Sequence, residues 1–178
     1  PGFPSVTVEA IQADFHAPDF IHNLGRFLQT KGITPRLQPA LNTTFPLYKR
    51  LFLTLAQIPE VGSASVRDTV RAVRGERSRI TAKGIIPAKP GTFDTVLVRV
   101  QPREVNDAPT HGLCVARVRA IFRIPDDFGQ YPDPVVYVDW FKPLNQPLVG
   151  LGMYQVSLST RNNRQNSSII PVTDIARS

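Results

Sequence analysis

The sequence predicts a mainly β fold of the α+β kind: a distorted, partly open β-barrel of short antiparallel strands, with one or two peripheral helices near the N-terminus. The first observation is that the second half of the chain is a succession of short apolar runs rich in β-branched residues, separated by turn residues. The second is that the spacing of an amphipathic helix is clear over residues 18–30, before these runs begin. We therefore expect an N-terminal helix and extended lead-in over residues 1–46 and the barrel over residues 47–178, together forming one compact unit.

The N-terminal lead-in contains the predicted helix. Asp19 is suited to cap its start, and Gly32 follows its last turn. Between them one apolar stripe recurs at helical spacing, formed by Phe20, Ile21, Leu24, Phe27 and Leu28. Before the helix, apolar and polar residues alternate weakly over residues 1–12, which indicates a strand or an ordered lead-in. After it, prolines at positions 35, 39 and 46 predict an extended connector.

Three stretches in the middle of the chain have less distinctive spacing. Residues 45–58 are strongly apolar and predict a buried strand, with a helix as the alternative that a short apolar run always allows. Residues 65–74 have Val66, Val70 and Val73 on one side and Arg67, Arg71 and Arg74 on the other. If this segment is helical, three guanidiniums stack along one exposed face, where they repel each other unless an anion lies against them. Residues 75–91 are rich in Gly, Pro and Lys and predict a mobile basic loop.

The rest of the chain predicts a series of strands. Residues 92–100 alternate most cleanly, and the runs 113–124 and 135–141 are expected to pair antiparallel across a Pro/Asp/Gly-rich loop. Further strands are predicted at residues 153–159 and 169–178. Between these two lies a polar tip whose Arg and Asn side chains are able to bond phosphates or base edges. The alternative for this tip is a flexible hairpin end built from favoured turn residues.

The chain is basic, with a formal net charge of +7 and a pI near 10.1. Most of this excess lies between Arg67 and Arg103, where nine basic residues stand against three acidic ones. A concentrated positive field raises the local concentration of polyanions and speeds their association. The alternative is a solvated basic face on a protein that binds no polyanion.

The sequence carries no motif that indicates catalysis. We find no Gly-rich phosphate loop, nucleophile elbow or metal-ligand spacing, and three histidines without companion cysteines do not predict a zinc site. We therefore expect no enzymatic activity, no cofactor and no metal. No apolar run approaches membrane-spanning length. The single cysteine, Cys114, indicates a reducing compartment such as the cytosol or nucleus.

One family resemblance lies in two adjacent runs. The sequences ARVRAIF at residues 116–122 and VDWFKP at residues 138–143 resemble the core of the bromo-adjacent homology (BAH) domain, a distorted β-barrel of chromatin and replication proteins. Lys142 stands where an aromatic–Arg pair normally precedes the proline. The resemblance implies a peptide-binding surface in which Trp140, with Tyr137 or Tyr154, surrounds a methylated lysine of a histone tail. Tyr137 and Trp140 are an odd number of residues apart, so on a regular strand they point to opposite faces, and Trp140 as ordinary core is the alternative.

A second resemblance covers more of the chain. Residues 93–98, 137–141, 153–157 and 169–172 are similar to the C-terminal region of proteins encoded by fungal DNA transposons of the Plavaka type. Such regions lie outside the catalytic core of the transposase. The resemblance implies a nuclear, non-catalytic domain that is part of a longer protein.

These observations predict a module that docks its protein on DNA or nucleosomes. The predicted phosphate-binding residues are Arg67, Arg71, Arg74, Arg77, Arg79, Lys83, Arg161, Asn163 and Arg164. The alternative is a protein-interaction module that recognises a histone tail or another transposase domain through the Trp140 face. Neither a membrane nor a small-molecule substrate is expected as a partner.

Overall fold

A computed structural model describes residues 5–55, 66–82, 84–100, 112–144, 150 and 153–178. Its helices are α1 (Val8–Asp14) and α2 (Phe20–Thr30), with short 3-10 helices at Asp126–Phe128 and Val172–Asp174. Its strands are β1 (Ser5–Thr7), β2 (Thr44–Tyr48), β3 (Arg50–Leu55), β4 (Val66–Val73), β5 (Arg79–Thr81), β6 (Gly84–Ile86), β7 (Thr92–Phe93), β8 (Thr95–Arg99), β9 (Leu113–Phe122), β10 (Val135–Trp140), β11 (Thr160–Arg161), β12 (Arg164–Gln165), β13 (Ser167–Pro171) and β14 (Ile175–Arg177). The predicted mainly β class is confirmed.

The largest sheet is antiparallel and centres on the ten-residue strand β9. One edge of β9 pairs with β10, which pairs in turn with β13, so the predicted antiparallel pairing of the two apolar runs is confirmed. The other edge is shared, because the start of β9 pairs with β8 and its end pairs with β2. Strand β1 extends the sheet beyond β2, and β14 extends it beyond β8. The described strands do not close into a barrel, in agreement with the predicted partly open form.

Strands form in two of the stretches whose spacing did not distinguish a strand from a helix. The apolar stretch 45–58 contains β2 and β3, so the strand interpretation is confirmed over the helical one for the residues that are described. The helix considered for residues 65–74 is wrong, since Val66–Val73 form β4, which pairs with β3 and β7 in a second antiparallel sheet. Strand β3 pairs with β4 from Val66 to Arg71 and β7 pairs with Ala72 and Val73, and local spacing alone does not reveal these backbone partners.

Two further predictions need correction. The stretch 75–91, predicted as a loop, contains the hairpin β5–β6 and a bridge between Glu76 and Lys89. The strand predicted at residues 153–159 is reduced to a single bridge, between Phe141 and Leu158. At the N-terminus, the alternating residues form β1 and then α1, where the Thr7 hydroxyl accepts a hydrogen bond from the Ala10 amide at 3.2 Å and caps the helix.

Helix α2 forms where the sequence predicts it and packs one face on the large sheet. Its buried residues Phe20, Leu24 and Leu28 join a core with side chains of β2, β9 and β10. The opposite face of β9 and β10 forms a second core with β4, β8 and β14. The predicted boundary between residues 46 and 47 falls inside β2, so the N-terminal segment contributes a strand and two helices to the same unit. Neither described helix is long and apolar enough to cross a membrane.

A bulge in β9 lies beside a buried ion pair between β9 and β10. Tyr137 pairs with Ala120 and Val138 with Val118, so Arg119 is left opposite no residue of β10. The Arg119 Nε donates to Asp139 Oδ2 at 2.7 Å, and both side chains are largely buried. Asp139 Oδ1 has no hydrogen-bond partner among the described residues. Burial raises the pKa of the Asp139 carboxyl, although the Arg119 guanidinium opposes this effect.

Candidate nucleic-acid interface

The arginines predicted in the 67–74 segment lie on a strand and have partners within the chain. Arg71 binds Asp94 through two contacts, Nε to Oδ2 at 3.0 Å and Nη2 to Oδ1 at 3.1 Å, which raise the pKa of the guanidinium. Arg74 Nη1 lies 2.7 Å from Asp14 Oδ2. The Arg67 guanidinium lies 3.8 Å from the centre of the Phe52 ring. The predicted stack of repelling arginines is therefore wrong, and Asp94 and Asp14 supply the negative charge that the sequence assigned to an external anion.

The next basic residues are exposed but share their surface with carboxylates. Arg77 and Arg79 line a cavity of about 330 Å³ together with Arg74, Asp14 and Glu76. Three guanidiniums thus stand beside two carboxylates, so the net charge around this cavity is only about +1, which attracts an anion weakly. Lys83, the remaining residue of this predicted site, lies outside the described residues.

The Arg/Asn tip forms a short hairpin, β11–β12. Its two-residue turn is made by Asn162 and Asn163, whose φ angles of 52° and 60° are both in the left-handed region. Asparagine tolerates this region better than most residues, and two successive positive φ angles are typical of the type I′ turn of short hairpins. The turn places Arg161 opposite Arg164 as a cross-strand pair. Asn163 was predicted as a DNA contact, and in the structure its backbone forms the turn. Its residue type is therefore explained by the turn without a DNA contact.

Replacing Asn163 with glycine separates these two roles. Glycine adopts the left-handed region at no steric cost but removes the amide side chain. We expect the Asn163→Gly variant to bind oligonucleotides with the affinity of the unchanged chain. Fluorescence anisotropy with a labelled oligonucleotide measures this, and Asn163→Val is the contrasting variant because a β-branched residue is strained at positive φ. A clear loss of affinity on Asn163→Gly would assign the amide to the ligand.

The hairpin is held against the end of β10. Gln165 Nε2 donates to the Ser159 carbonyl at 3.0 Å, and Asn166 Nδ2 donates to Ser159 Oγ at 3.2 Å. The Trp140 amide donates to the Asn166 carbonyl at 2.9 Å. These bonds fix the base of the hairpin to the large sheet, so the two arginines near its turn stand in a defined place.

The hairpin faces α2 across a polar cleft of about 670 Å³, which we call the hairpin cleft. Its lining residues are Asp19, His22, Asn23 and Arg26 from α2 and its cap, and Arg161, Asn162, Arg164, Gln165, Asn166 and Ser167 from the hairpin and β13. Three guanidiniums therefore stand around one carboxylate. That carboxylate, Asp19, occupies the N-cap position without making a capping hydrogen bond, and its Oδ1 lies 3.5 Å from Arg164 Nη1.

Two residues of this cleft, His22 and Arg26, were not predicted as binding residues. They are four residues apart on α2, and both are exposed. Helical spacing places such residues on one face, so the sequence contains a signal for their proximity to each other. It contains no signal that this face meets the hairpin, because Asp19 and Arg164 are 145 residues apart along the chain.

The floor of the hairpin cleft is a buried hydrogen-bond network. Asn23 Nδ2 donates to Ser167 Oγ at 3.0 Å and to Tyr137 Oη at 3.3 Å, and the two hydroxyls lie 2.7 Å apart. Burial raises the pKa of the Tyr137 hydroxyl. This side chain is 0% exposed, so the prediction that it walls a peptide site is wrong. Its hydroxyl supports the cleft from beneath.

The other two predicted peptide-binding aromatics lie elsewhere. Trp140 is half-buried and packs against the second core, on the face of β10 opposite to Tyr137. The bulge lies in β9, so it does not bring the two side chains to one face of β10. Tyr154 is exposed and lies outside the described strands. The structure therefore does not assemble an aromatic cage from Tyr137 and Trp140.

Comparisons with known proteins do not assign this site. No protein-family model, curated protein or solved structure matches the chain. The resemblances to BAH domains and to Plavaka-type transposon proteins stay predictions, and the function is argued from the hairpin cleft itself.

Proposed function

We propose that this chain is a non-catalytic nucleic-acid-docking module that binds phosphates in the hairpin cleft and acts in the nucleus on DNA or chromatin. The observation that carries the proposal is the convergence of Arg26, Arg161 and Arg164 on one cleft that contains a single carboxylate. Guanidinium groups match the geometry of phosphate oxygens and bind them through paired hydrogen bonds. The net charge of +7 adds a long-range attraction for polyanions.

The arginines of the hairpin cleft are available to a ligand. Arg161 and Arg26 are exposed, and the described residues give neither of them an ion-pair partner. The Arg164 side chain is 78% exposed, and its contact with Asp19 at 3.5 Å is long. Such an exposed contact contributes little to stability, so exchanging it for a phosphate costs little. By contrast, Arg71 is already held by two hydrogen bonds to Asp94.

A salt titration with two matched double variants tests the proposal. Binding to labelled single-stranded and duplex oligonucleotides is measured by fluorescence anisotropy at increasing salt. We expect the Arg161→Gln/Arg164→Gln variant to bind more weakly and to lower the slope of log affinity against log salt by about 1.4–1.8, since two phosphate contacts are lost. The control, Arg77→Gln/Arg79→Gln, removes the same charge from the other basic segment and should keep most of the slope. Absence of binding at low salt, or equal losses from both variants, would contradict the proposal.

A second candidate function is supported by an apolar strip that precedes the segment bonded to the end of β10. Met153, Tyr154 and Val156 are each more than 40% exposed. The segment is tied to the end of β10 by bonds from the Lys142 amide to the Ser157 carbonyl and from the Ser159 amide to the Trp140 carbonyl, both 2.8 Å. Such a strip suits a protein partner, such as a histone tail or another transposase domain. Peptide binding that is lost on Tyr154→Ala, with no oligonucleotide binding, would favour this candidate.

A further inference from the structure

The hairpin cleft does not end at its arginines. A second cavity of about 390 Å³ adjoins it, and Arg26, Arg161, Asn166 and Ser167 line both. Beyond these shared residues the second cavity is lined by Trp140 and the neighbouring Phe141 and Pro143, together with Val100, Cys114, Ser159 and Ser168. A ligand that follows the concave surface therefore passes from the guanidiniums to an aromatic surface.

Trp140 is held rigidly at this place. Its indole Nε1 donates to Ser168 Oγ at 2.8 Å, and its backbone amide and carbonyl both bond to neighbouring segments. The indole N–H is thus already used, so a ligand in the second cavity meets Trp140 through the carbon atoms of its ring. A preorganised aromatic ring loses little conformational freedom when a flat group stacks on it.

We infer that the joined cavities bind single-stranded nucleic acid, with phosphates at Arg26, Arg161 and Arg164 and one base stacked on Trp140. This inference rests on the proposed function and names its substrate class. The bases of a duplex are paired and stacked inside it, so they do not enter a concave cavity between a helix and a hairpin. An unpaired base enters such a cavity, and a positive groove beside an aromatic ring is the arrangement that single-strand binders use. Stacking tolerates any base, so we expect little sequence preference.

The only tryptophan of the chain reports on this contact directly. The experiment records tryptophan fluorescence while a short oligothymidylate, or a duplex of the same length, is added to the protein at fixed salt. We expect saturable quenching by the single strand and none by the duplex, with about tenfold or more tighter binding of the single strand. The Arg161→Gln/Arg164→Gln variant should shift the quenching curve to higher oligonucleotide concentration.

Two substitutions of Trp140 separate stacking from folding. Trp140→Leu keeps an apolar side chain for the second core but removes the aromatic surface, so we expect about a tenfold loss of single-strand affinity, measured by anisotropy, and unchanged duplex affinity. Trp140→Phe should restore most of the loss. Circular dichroism and thermal unfolding check that each variant is folded. If Trp140→Leu does not fold, the inference is tested by the other two measurements. Quenching of the unchanged chain by the single strand and near-unchanged affinity of Trp140→Phe support it, and absence of quenching overturns it.

The outcomes distinguish this inference from the proposed function. If neither oligonucleotide binds, the proposed function is wrong and the inference falls with it. If both bind with equal affinity and neither quenches, phosphate docking stands and the inference is overturned. Quenching by a lysine-rich peptide, without oligonucleotide binding, would assign Trp140 to a protein partner and overturn both.

Discussion

Replacing Arg119 with methionine should lower the free energy of unfolding by about 3–5 kcal/mol at pH 7. The reason is the position of its partner, since the Asp139 side chain is 3% exposed and its Oδ2 accepts from Arg119 Nε at 2.7 Å. Methionine retains the apolar part of the side chain and removes the charge. The carboxylate would then be buried without a counter-ion, which is more costly than the loss of one ordinary hydrogen bond.

This loss should depend on pH in a definite direction. Burial raises the pKa of the Asp139 carboxyl above its ordinary value of 3.8, so the folded state holds the proton more tightly than the unfolded chain. The contribution of Asp139 to stability is therefore most favourable at low pH and is lost as pH rises through the raised pKa. Without Arg119 that pKa rises further. Urea unfolding should show a larger loss for Arg119→Met at pH 8 than at pH 5.

Arg117 provides the matched control for this substitution. It lies two residues earlier on β9, opposite Asp139, and its guanidinium lies 5.4 Å from the centre of the Phe141 ring. Its charge also lowers the pKa of Asp139, but by less than that of Arg119, and the described residues give it no hydrogen-bonded ion pair. We expect Arg117→Met to cost at most about 1 kcal/mol. A second variant, Asp139→Asn, should reduce the dependence of stability on pH. Equal losses from the two arginine variants, or a loss from Arg119→Met that is the same at both pH values, would contradict the account of the buried pair.

Replacing Phe20 with alanine should lower the free energy of unfolding by about 3–5 kcal/mol. Phe20 is fully buried where α2 meets the sheet, and its ring centre lies 5.2 Å from that of Phe45 and 5.0 Å from that of Phe122. Alanine would leave a cavity among rigid aromatic rings that cannot close without moving the helix. Because α2 also carries His22 and Arg26, the variant should bind oligonucleotides more weakly as well.

Phe52 is the control for this second substitution. Its side chain lies on β3 and is 46% exposed, with the guanidiniums of Arg67 and Arg50 at 3.8 Å and 5.9 Å from its ring centre. We expect Phe52→Ala to cost at most about 1 kcal/mol and to leave oligonucleotide affinity unchanged. Chemical denaturation measures the first quantity, and anisotropy measures the second. If the two phenylalanine variants were equally stable, α2 would not be anchored through Phe20.

The elements that were predicted correctly are those whose signal is local. The stripe from Phe20 to Leu28 repeats within a single helix, and the β-branched runs of β9 and β10 lie on either side of a short loop. Such patterns depend on residues a few positions apart, so the sequence expresses them directly. The helix considered for β4 was wrong because its valines and arginines fit both a helical and a strand period. Backbone pairing with β3 and β7, which lie elsewhere in the chain, selects the strand.

The candidate site shows more clearly what is local in the sequence and what is not. By itself, the sequence determined the mainly β class, helix α2, the antiparallel pairing of β9 with β10 and the Asn-Asn tip with its two arginines. Only the tertiary structure decided which arginines are available to a ligand. It pairs Arg71 with Asp94 and Arg74 with Asp14, and it sets α2 opposite the hairpin. The physical reason is that charge is cancelled or concentrated by contacts between residues up to 145 positions apart, and such contacts leave no periodic trace along the chain.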